Sequence, residues 1–421
     1  MTSPLKIAII GAGFTGLTAA LRLSKHHQVT VFEKEKFSGG LSATFKLPSW
    51  TWPVEQHYHH WFTNDISLNR LLKELQLSDL IIHSKTQTAI YYHGRIYPFN
   101  TPAQVLFFSP IGFPSRLRIG LASLFLKLLP KDIGISLEKE TAYQSVEKYF
   151  GGEAFRVIWQ PLLDGKFGPP AGGFGRLVNM AWFWARIKKR TIKLAYMSGG
   201  YQTLLDGLVK NISDNGAKIF FNTPFNPKKN KEFDKIIFTA PSGEFIRLYP
   251  QLPKSYKKQL SSIPHLTALT LLLIVAEKIL PETYWLNIND RKFPFISVIQ
   301  QTNMIDKKYY GNKHLTYVGN YLPDGHPYLK MSKEQLFKLY LPYLQKINPN
   351  LPAEALAKAN LQLFSSPFAQ PVFFVNYSKI KPDFATPIPN VYLANMDMVY
   401  PWDRGTNYAI ELGEQVANLV Q

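Results

Sequence analysis

The chain has 421 residues, of which 46% are hydrophobic and 18% charged, and its formal net charge is +19. This length allows two or three domain-sized cores, and the composition excludes a disordered chain. The absence of cysteine excludes disulfide bonds, thiolate metal sites and cysteine nucleophiles. Because the lysines and arginines are scattered and no nucleic-acid motif is visible, we expect a solvated basic surface and no nucleic acid as a partner.

The chain opens with an apolar run, Ile7–Ile10, that is typical of a buried parallel strand. A glycine turn follows, in which the first glycine allows the tight turn, the second lets main-chain amides approach a pyrophosphate, and the third lets a helix lie close to the sheet. At the amino terminus of that helix, free N–H groups and the helix dipole favour negative charge. The candidate contacts are Gly11, Gly13, Phe14, Thr15 and Gly16.

A second strand, Val29–Phe32, ends at an acid, Glu33, and Lys34 follows as a further candidate contact. The Glu33 carboxylate could accept hydrogen bonds from both hydroxyls of an adenosine ribose, and it would disfavour a 2′-phosphate. Strand, helix, second strand and acid fall at the spacing that a dinucleotide site requires. The alternative interpretation is a glycine-rich turn in an ordinary α/β domain.

A second glycine pair, Gly39-Gly40, follows Glu33, and the E-x5-GG-x3-T run ends at Thr44. This run resembles the second FAD fingerprint of the flavoproteins with two dinucleotide-binding domains, which include the amine oxidases, protoporphyrinogen oxidase, the phytoene desaturases and UDP-galactopyranose mutase. The resemblance implies FAD as the cofactor, with contacts from Gly39, Gly40 and Leu41. Many members carry arginine where this chain has Leu41. A nicotinamide dehydrogenase would not need the second glycine pair.

The next part of the chain is predicted to be a helix over Ser67–Leu77 and a hairpin over Ala89–Phe99. Residues 103–130 are apolar but contain prolines and basic residues, so they cannot form a spanning helix of about 20 clean apolar residues. They predict either a buried core helix or a monotopic patch with basic anchors. Residues 138–190 are predicted to be mainly helical.

The remaining elements alternate between α/β and sheet patterns. They are a helix over Thr203–Ile212, strands over Lys218–Phe221, Ile236–Thr239, Leu266–Ala276, Tyr284–Ile288, Phe295–Gln300 and Leu315–Asn320, a helix over Met331–Ile347, a strand over Val391–Ala394 and a helix over Thr406–Leu419. The order matches the architecture of the resembling family. It predicts a Rossmann-like FAD-binding domain (residues 1–65, 196–242 and 385–421), interrupted by a mixed substrate domain with antiparallel sheet and helices (66–195 and 243–384).

The resemblance implies further cofactor contacts near the C-terminus and in the middle segment. Phe225, on a strand expected to run from Phe221, would give a main-chain contact to the adenine. Thr406 and Asn407, in the first turn of the last helix, would present amides to the flavin.

Two polar positions before that helix leave alternatives open. Family members often read LAGD where this chain reads LANMD, so either Asn395 or Asp397 takes the place of the acid. Arg404 either pairs with a cofactor phosphate or substrate anion, or it joins a salt bridge near Asp403.

Residues 55–65, EQHYHHWFTND, hold the histidines that follow the second glycine pair. His57 and His59 would share one face of a strand, but no third ligand accompanies them, so we predict no metal site. The T-N-D resembles the HTND segment of the mutases, which implies that His59 lies beside the flavin and could move protons. The alternative is a hydrogen-bonded structural histidine. Arg95 and Tyr377 are the other candidates for the catalytic pocket.

The sequence therefore predicts an FAD-dependent oxidoreductase of the amine oxidase type that transfers a hydride between flavin and a small organic substrate, either apolar or anionic. One alternative is a sugar-nucleotide mutase. Against it, the expected counterparts of two mutase arginines are Phe167-Gly168-Pro169 and Leu393-Ala394-Asn395, which contain none. The other alternative is a non-catalytic dinucleotide-binding protein. We expect a cytoplasmic protein, either free or peripheral to the inner face of a membrane.

Overall fold

A computed structural model gives the fold and describes residues 3–168 and 173–421. Its α-helices are α1 (Phe14–Leu23), α2 (Ile66–Glu74), α3 (Pro102–Leu106), α4 (Phe113–Leu128), α5 (Lys131–Ser136), α6 (Ala142–Phe150), α7 (Gly152–Ala154), α8 (Gln160–Phe167), α9 (Met180–Lys189), α10 (Tyr201–Asp214), α11 (Ser242–Leu248), α12 (Lys254–Ser261), α13 (Lys333–Ile347), α14 (Ala353–Ala357) and α15 (Thr406–Val420). Its strands are β1 (Lys6–Ile10), β2 (Gln28–Phe32), β3 (Thr44–Phe45), β4 (Val54–Glu55), β5 (Trp61–Phe62), β6 (Ile81–Ser84), β7 (Gln87–Tyr92), β8 (Arg95–Pro98), β9 (Leu194–Met197), β10 (Lys218–Phe220), β11 (Lys235–Phe238), β12 (His265–Val275), β13 (Thr283–Ile288), β14 (Ser297–Gln300), β15 (His314–Leu322), β16 (Asn360–Pro371) and β17 (Val391–Leu393).

A parallel sheet with strand order β10-β2-β1-β11-β17 contains the opening strand at its centre. Ile7, Ala8 and Ile9 are fully buried, as expected where helices cover both faces of a parallel sheet. Helix α1 packs against both α10 and α15. This arrangement confirms the predicted Rossmann-like fold.

The larger sheet has strand order β16-β12-β15-β14-β13-β7-β8. Its neighbours run antiparallel except for β7 and β13, which are parallel. All but the first residue of β12 are buried, because β12 is covered on both faces. The predicted hairpin over residues 89–99 is confirmed as β7 and β8, and the predicted antiparallel sheet is confirmed as well.

The helices α3 to α9 form one packed region between β8 and β9 in the chain, with an aromatic core around Phe150, Phe183 and Trp184. The small residue Gly134 allows α5 to approach the Trp184 ring, because a Cβ at this position would overlap the indole. The core of this region also receives Tyr321 from β15, so the helices pack directly on one side of the larger sheet.

The strands of the two sheets come from the chain segments that were predicted for the two domains. Every strand of the parallel sheet falls within 1–65, 196–242 or 385–421, and every strand of the larger sheet falls within 66–195 or 243–384. Strand β9 crosses the expected boundary between residues 195 and 196 and pairs with β5 and β6. The division into two domains itself stays a prediction.

Two sequence-based interpretations are wrong. The strand expected to continue through Phe225 ends at Phe220, because Asn222 adopts a φ of 50° and turns the chain so that its amide bonds to the Glu35 carbonyl. The run at 103–130 is not a buried core helix, since Leu121 and Leu128 on α4 are 70% and 73% exposed. Within the described part of the chain, no helix combines the length and apolarity needed to cross a bilayer.

Candidate functional site

A cavity of about 1500 Å³ extends from the glycine turn after β1 to the helical region formed by α3 to α9. Sites for a single drug-sized ligand usually measure roughly 300–1,000 Å³. The cavity is lined by the segments around residues 11–15, 39–43, 56–62, 159–166, 182–192, 239–241 and 395–409. It therefore has room for a dinucleotide and for a second molecule beside it.

The glycines of the opening turn have different physical roles. Gly11 adopts a φ of +105°, and a Cβ there would lie 2.7 Å from the Thr239 hydroxyl oxygen. A Cβ at Gly16 would overlap the Gly11 carbonyl oxygen, so glycine is required for α1 to approach the strand. By contrast, a Cβ at Gly13 would meet no protein atom within 4 Å. Packing does not require glycine at this position, and a side chain would extend only into open space.

The second glycine pair faces the first turn. The Gly39 amide donates to the Ala12 carbonyl over 2.8 Å, and a Cβ at Gly40 would lie 3.6 Å from the Gly13 Cα. Helix α1 begins here with no side-chain cap, which leaves amides of its first turn available to a ligand. Two facing main-chain loops at an uncapped helix terminus fit a diphosphate. Among the other expected contacts here, Phe14, Thr15 and Leu41 line the cavity.

Glu33 lies at the end of β2, where it lines the cavity although it is buried. Its carboxylate accepts hydrogen bonds from the Ala12 amide over 2.7 Å and the Glu35 amide over 2.9 Å. The glycine turn therefore fixes the acid next to the space where a ribose would lie. Lys34 also lines the cavity, but its side chain is largely exposed.

Phe225 lines the same end of the cavity from a loop rather than from the expected strand. Its ring packs edge-on against Phe32, with 5.3 Å between centroids. This packing holds the loop beside Glu33, where an adenine contact is proposed.

The turn before α15 brings both alternative acid positions to the cavity. The Asp397 carboxylate accepts from the Ser242 hydroxyl over 2.5 Å and lies 2.6 Å from His265 Nε2. The Asn395 amide donates to the same Ser242 hydroxyl over 2.9 Å. Asp397 therefore belongs to a side-chain network, and Asn395 belongs to the same network. Both residues remain candidates for the position of the family's acid.

The first turn of α15 also lines the cavity. Thr406 and Asn407 both face it, and the Asn407 side-chain oxygen accepts from the Leu68 amide over 3.1 Å. Asn407 therefore joins α15 to α2 at this point, while the amides at the start of α15 remain directed along the helix axis toward the cavity.

His59 lines the cavity as a neutral imidazole. Its Nδ1 lies 2.7 Å from the His57 carbonyl, to which it donates, and Nε2 accepts from the Ser42 hydroxyl over 3.1 Å. Burial lowers the pKa of His59 to about 4, although the bond to the His57 carbonyl opposes this shift. Both ring nitrogens are thus engaged at neutral pH.

His57 does not share a strand face with His59. Its ring nitrogens contact the Thr270 and Ser366 hydroxyls over 2.8 and 2.9 Å, on the larger sheet, and residues 57–60 form no strand. Burial lowers the pKa of His57 to about 3. The described residues contain no cluster of three or more potential metal ligands.

Two of the expected catalytic residues lie outside the cavity. Arg95 is exposed at the start of β8, because the hairpin turns it toward solvent. Tyr377 is fully buried, and its hydroxyl donates to the Asp397 main-chain carbonyl over 2.9 Å. Its ring packs against Phe373 and Tyr400, so Tyr377 supports the turn at residues 395–398 from behind.

A cationic cluster that sequence reasoning identified only in part lines the helical end of the cavity. Lys166 donates to the Asp403 carboxylate over 2.9 Å, and Arg186 binds the same carboxylate. The Arg404 guanidinium lies over the Tyr321 ring, 4.7 Å from its centroid. Burial lowers the pKa of Lys166 to about 7, while Asp403 opposes the shift. Lys166 follows Asp164-Gly165 and precedes Phe167, and nothing in this stretch marked it as a site residue.

A buried carboxylate, Glu55, was also missed. It accepts from the Tyr196 hydroxyl over 2.8 Å and from the Tyr201 amide over 2.8 Å. Gly200 adopts a φ of +73°, which lets α10 begin directly against this carboxylate. Burial raises the pKa of Glu55 to about 7. The glycine pair before Tyr201 was visible in the sequence, but nothing indicated its partner.

Comparison with known proteins assigns the chain to a family. The family model described as flavin containing amine oxidoreductase matches residues 14–421. The chain is 23% identical over 332 residues to the coproporphyrinogen III oxidase of Staphylococcus aureus (strain NCTC 8325 / PS 47), covering 66% of this chain and 69% of that one. The matches to other curated relatives are shorter. They cover about a third of the length of one relative and about a tenth of the length of several more.

Solved structures share the fold. A putative protoporphyrinogen oxidase from Exiguobacterium sp. 255-15 aligns with a TM-score of 0.74 at 14% identity, covering 100% of this chain and 99% of that one. Reduced UDP-galactopyranose mutase aligns with a TM-score of 0.73 at 15% identity, covering 99% and 95%. At these identities the likeness establishes the fold alone.

The family match and the site agree on the cofactor. The facing glycine loops fit the diphosphate of FAD, and Glu33 lines the same part of the cavity. The chain therefore belongs to the family of flavin containing amine oxidoreductases and is an FAD-dependent enzyme.

Proposed function

We propose that the enzyme transfers a hydride between a small organic substrate and FAD held on the β1–α1 turn. The observation that supports this proposal is the continuity of the cavity, which joins the glycine turn to the helical region without a separating wall. FAD, when bound, supplies the hydride chemistry, and the protein supplies binding, orientation and exclusion of water.

The residues of the chain divide these tasks. The main chain around Gly13 and Gly40 would hold the diphosphate, and Glu33 would hold the ribose. The helical half of the cavity is walled mainly by apolar side chains such as Phe183 and Ile296, which would exclude water from the reacting carbon. His59 is neutral and bonded at both nitrogens, so we assign it a positioning role rather than that of a proton donor.

Sugar-nucleotide isomerisation is the second candidate, because the cavity carries several cations and the mutase shares the fold. One mutase arginine is expected at Ala394-Asn395 of this chain. Neither of these residues can form the bidentate, charge-assisted hydrogen bonds with which an arginine binds a phosphate. The other position includes Gly168 and Pro169, of which Pro169 lies outside the described residues. The apolar wall favours the oxidoreductase.

Anaerobic flavin spectroscopy separates the two candidates. The purified enzyme should show the absorbance bands of oxidised flavin and release FAD on denaturation. We expect an amine, a porphyrinogen or a polyene to bleach the flavin. Turnover of UDP-galactopyranose only after dithionite reduction, with no bleaching by any of the three donors, would favour the mutase. A flavin that none of these compounds affects would indicate a non-catalytic protein.

We further propose that α4 lies on an anionic membrane surface. Leu117, Leu121, Leu124 and Leu128 follow one stripe of this helix and are all exposed, and the first three also line the mouth of the cavity. The helix carries three basic residues and no acidic one. Apolar side chains flanked by cations suit the boundary of an anionic bilayer, and an apolar substrate could enter there.

Vesicle flotation tests this membrane contact. Wild type should float with phosphatidylglycerol-containing vesicles, and Leu128→Asp should lose most of this binding, because the charge would enter the acyl region. Leu419→Asp changes a leucine that is 52% exposed on α15, away from the cavity, and it should float like wild type. Equal flotation of all three proteins would contradict the proposal. Dimerisation that Leu128→Asp abolishes would instead assign α4 to a protein interface.

A further inference from the structure

We infer that the substrate is an amphipathic anion, whose charged group is held by Lys166, Arg186 and Arg404 and whose apolar body fills the helical half of the cavity. This inference rests on the proposed function, because it assigns the part of the cavity that FAD does not need.

The first step is the balance of charge at the cluster. Lys166 and Arg186 share one carboxylate, that of Asp403. Arg404 makes no ion pair with a carboxylate among the residues that the structure describes. Below pH 7, where the Lys166 amine is charged, three positive charges face one negative charge and the cluster carries an excess of two. Above pH 7 the excess falls to one. Like charges in a partly enclosed cavity repel one another strongly, so a bound anion would stabilise this arrangement.

The aromatic neighbours position the cations without neutralising them. Lys166 and Arg186 lie over the Trp182 ring, 4.9 and 5.1 Å from its centroid. Lys166 also lies 5.6 Å from the Tyr321 centroid, above the ring that Arg404 covers. Two aromatic rings thus hold three cations close together. Two guanidinium groups and an ammonium group can bind the oxygens of one carboxylate or phosphate.

The second step is the surface beside the cluster. The wall that continues from Lys166 toward α4 is formed by apolar side chains, including Phe99, Ile119, Phe183 and Ile296. A polar sugar or nucleoside would leave its hydroxyl and amide groups without partners against this wall. A hydrocarbon or aromatic body with an anionic group at one end satisfies both surfaces.

The cofactor phosphates are a competing source of negative charge. The facing glycine loops already provide main-chain donors for a diphosphate, whereas Lys166 and Arg186 belong to α8 and α9 in the helical region. We therefore assign the cluster to the substrate. If the assignment is wrong and the cations hold FAD, their removal will release the flavin.

Calorimetric titration of the holoenzyme with three probes tests the inference. The probes are dodecanoate, dodecanol, which has the same chain without the charge, and UDP. We expect dodecanoate to bind about tenfold or more tightly than dodecanol, and UDP not to displace it. Arg186→Gln and Arg404→Gln should each weaken dodecanoate binding by about tenfold, with unchanged dodecanol binding and unchanged FAD content. Arg95→Gln, at an exposed arginine outside the cavity, is the matched control and should match wild type.

The possible contrary results have different meanings. Equal affinity for dodecanoate and dodecanol would overturn the inference, and tighter binding of UDP would assign the cluster to a nucleotide. Loss of FAD from both variants would assign it to the cofactor. Flavin bleaching by an organic donor is measured separately, so the hydride-transfer proposal can fail or stand whichever result the titrations give.

Discussion

The two ends of the cavity are built in different ways. The cofactor end consists of main chain: the turn at Gly11–Gly16 and the pair Gly39-Gly40 approach each other. A single acid, Glu33, is fixed by the amides of Ala12 and Glu35. The substrate end consists of side chains that meet from separate elements. Lys166 on α8 contacts Asp403, which is 237 residues away in the chain.

This difference explains which end can be predicted from the sequence. A main-chain site needs residues without side chains at fixed spacing, and that spacing is local. A side-chain site needs elements distant in sequence to pack together, and the spacing of one element does not reveal its partner. We therefore expect the cofactor end to be the part of the site that a family shares, and the substrate end to be the part that varies.

The largest expected effect is at the cofactor end. In Gly16→Ala, the added methyl group would overlap the Gly11 carbonyl oxygen, which cannot move without displacing the turn. We expect purified Gly16→Ala to lack FAD and to lose about 1–3 kcal/mol of stability, measured by the flavin-to-protein ratio and by urea unfolding. In the control Gly120→Ala, in α4, the added methyl group would meet no atom within 4 Å. This variant should keep both its FAD content and its stability. Full FAD content in Gly16→Ala would contradict the close-approach argument.

A second prediction concerns Glu55, a buried carboxylate that accepts from the Tyr201 amide at the start of α10. Its pKa is raised from 4.5 to about 7 in the folded state, so folding takes up a proton between these values. The contribution to stability is therefore full below pH 4.5 and is lost as the pH rises through 7, on the order of 3 kcal/mol in all. Glu55→Gln keeps an acceptor for the Tyr201 amide and should remove this dependence.

Urea unfolding of wild type and Glu55→Gln between pH 5 and 8 measures this effect as the difference between their free energies of unfolding. The buried histidines contribute equally to both proteins, so their contributions cancel in that difference. Glu282→Gln, at an exposed glutamate, serves as the control and should follow wild type. Parallel curves for wild type and Glu55→Gln would show that the buried carboxylate is ionised throughout.

The smallest predicted effect is at the substrate end. Because burial lowers the pKa of Lys166 to about 7, its amine is charged below pH 7 and neutral above it. Dodecanoate affinity should therefore fall by about tenfold between pH 6 and 8. The groups that face the amine are Asp403, Arg186 and Arg404. Although burial opposes the shift, Lys166 and Arg186 hold the pKa of Asp403 well below its usual range.

Lys166→Arg separates this titration from other causes, because its guanidinium stays charged over the whole range. Its dodecanoate affinity should be independent of pH between 6 and 8. The same tenfold fall in Lys166→Arg would show that another group titrates.

Particular residues show what the sequence could predict. The alternation of strands and helices predicted both sheets, because burial of apolar faces has a local period. The end of β10 was misplaced because a left-handed turn at Asn222 depends on main-chain bonds to the residues after β2. The exposure of α4 was left open, since an apolar face looks the same whether protein or lipid covers it.

The individual site residues follow the same division. The roles proposed for the glycines and Glu33 could be inferred from the sequence because they depend on neighbours in the chain. Arg95 and Tyr377 were expected in the pocket, but they are not among the residues that line the cavity. Lys166 and Glu55 were missed. Polar residues of these types occur throughout the chain, and only the packed structure decides which face a cavity.

The most direct test of the central claim, that FAD rests on the main chain of the opening turn, is the FAD affinity of Gly13→Ala. A methyl group at this position meets no protein atom within 4 Å, so it can obstruct only a ligand. We predict at least a roughly tenfold loss of FAD affinity in a flavin fluorescence titration, with the melting temperature of the apo-protein unchanged. Wild-type affinity in Gly13→Ala would contradict the claim.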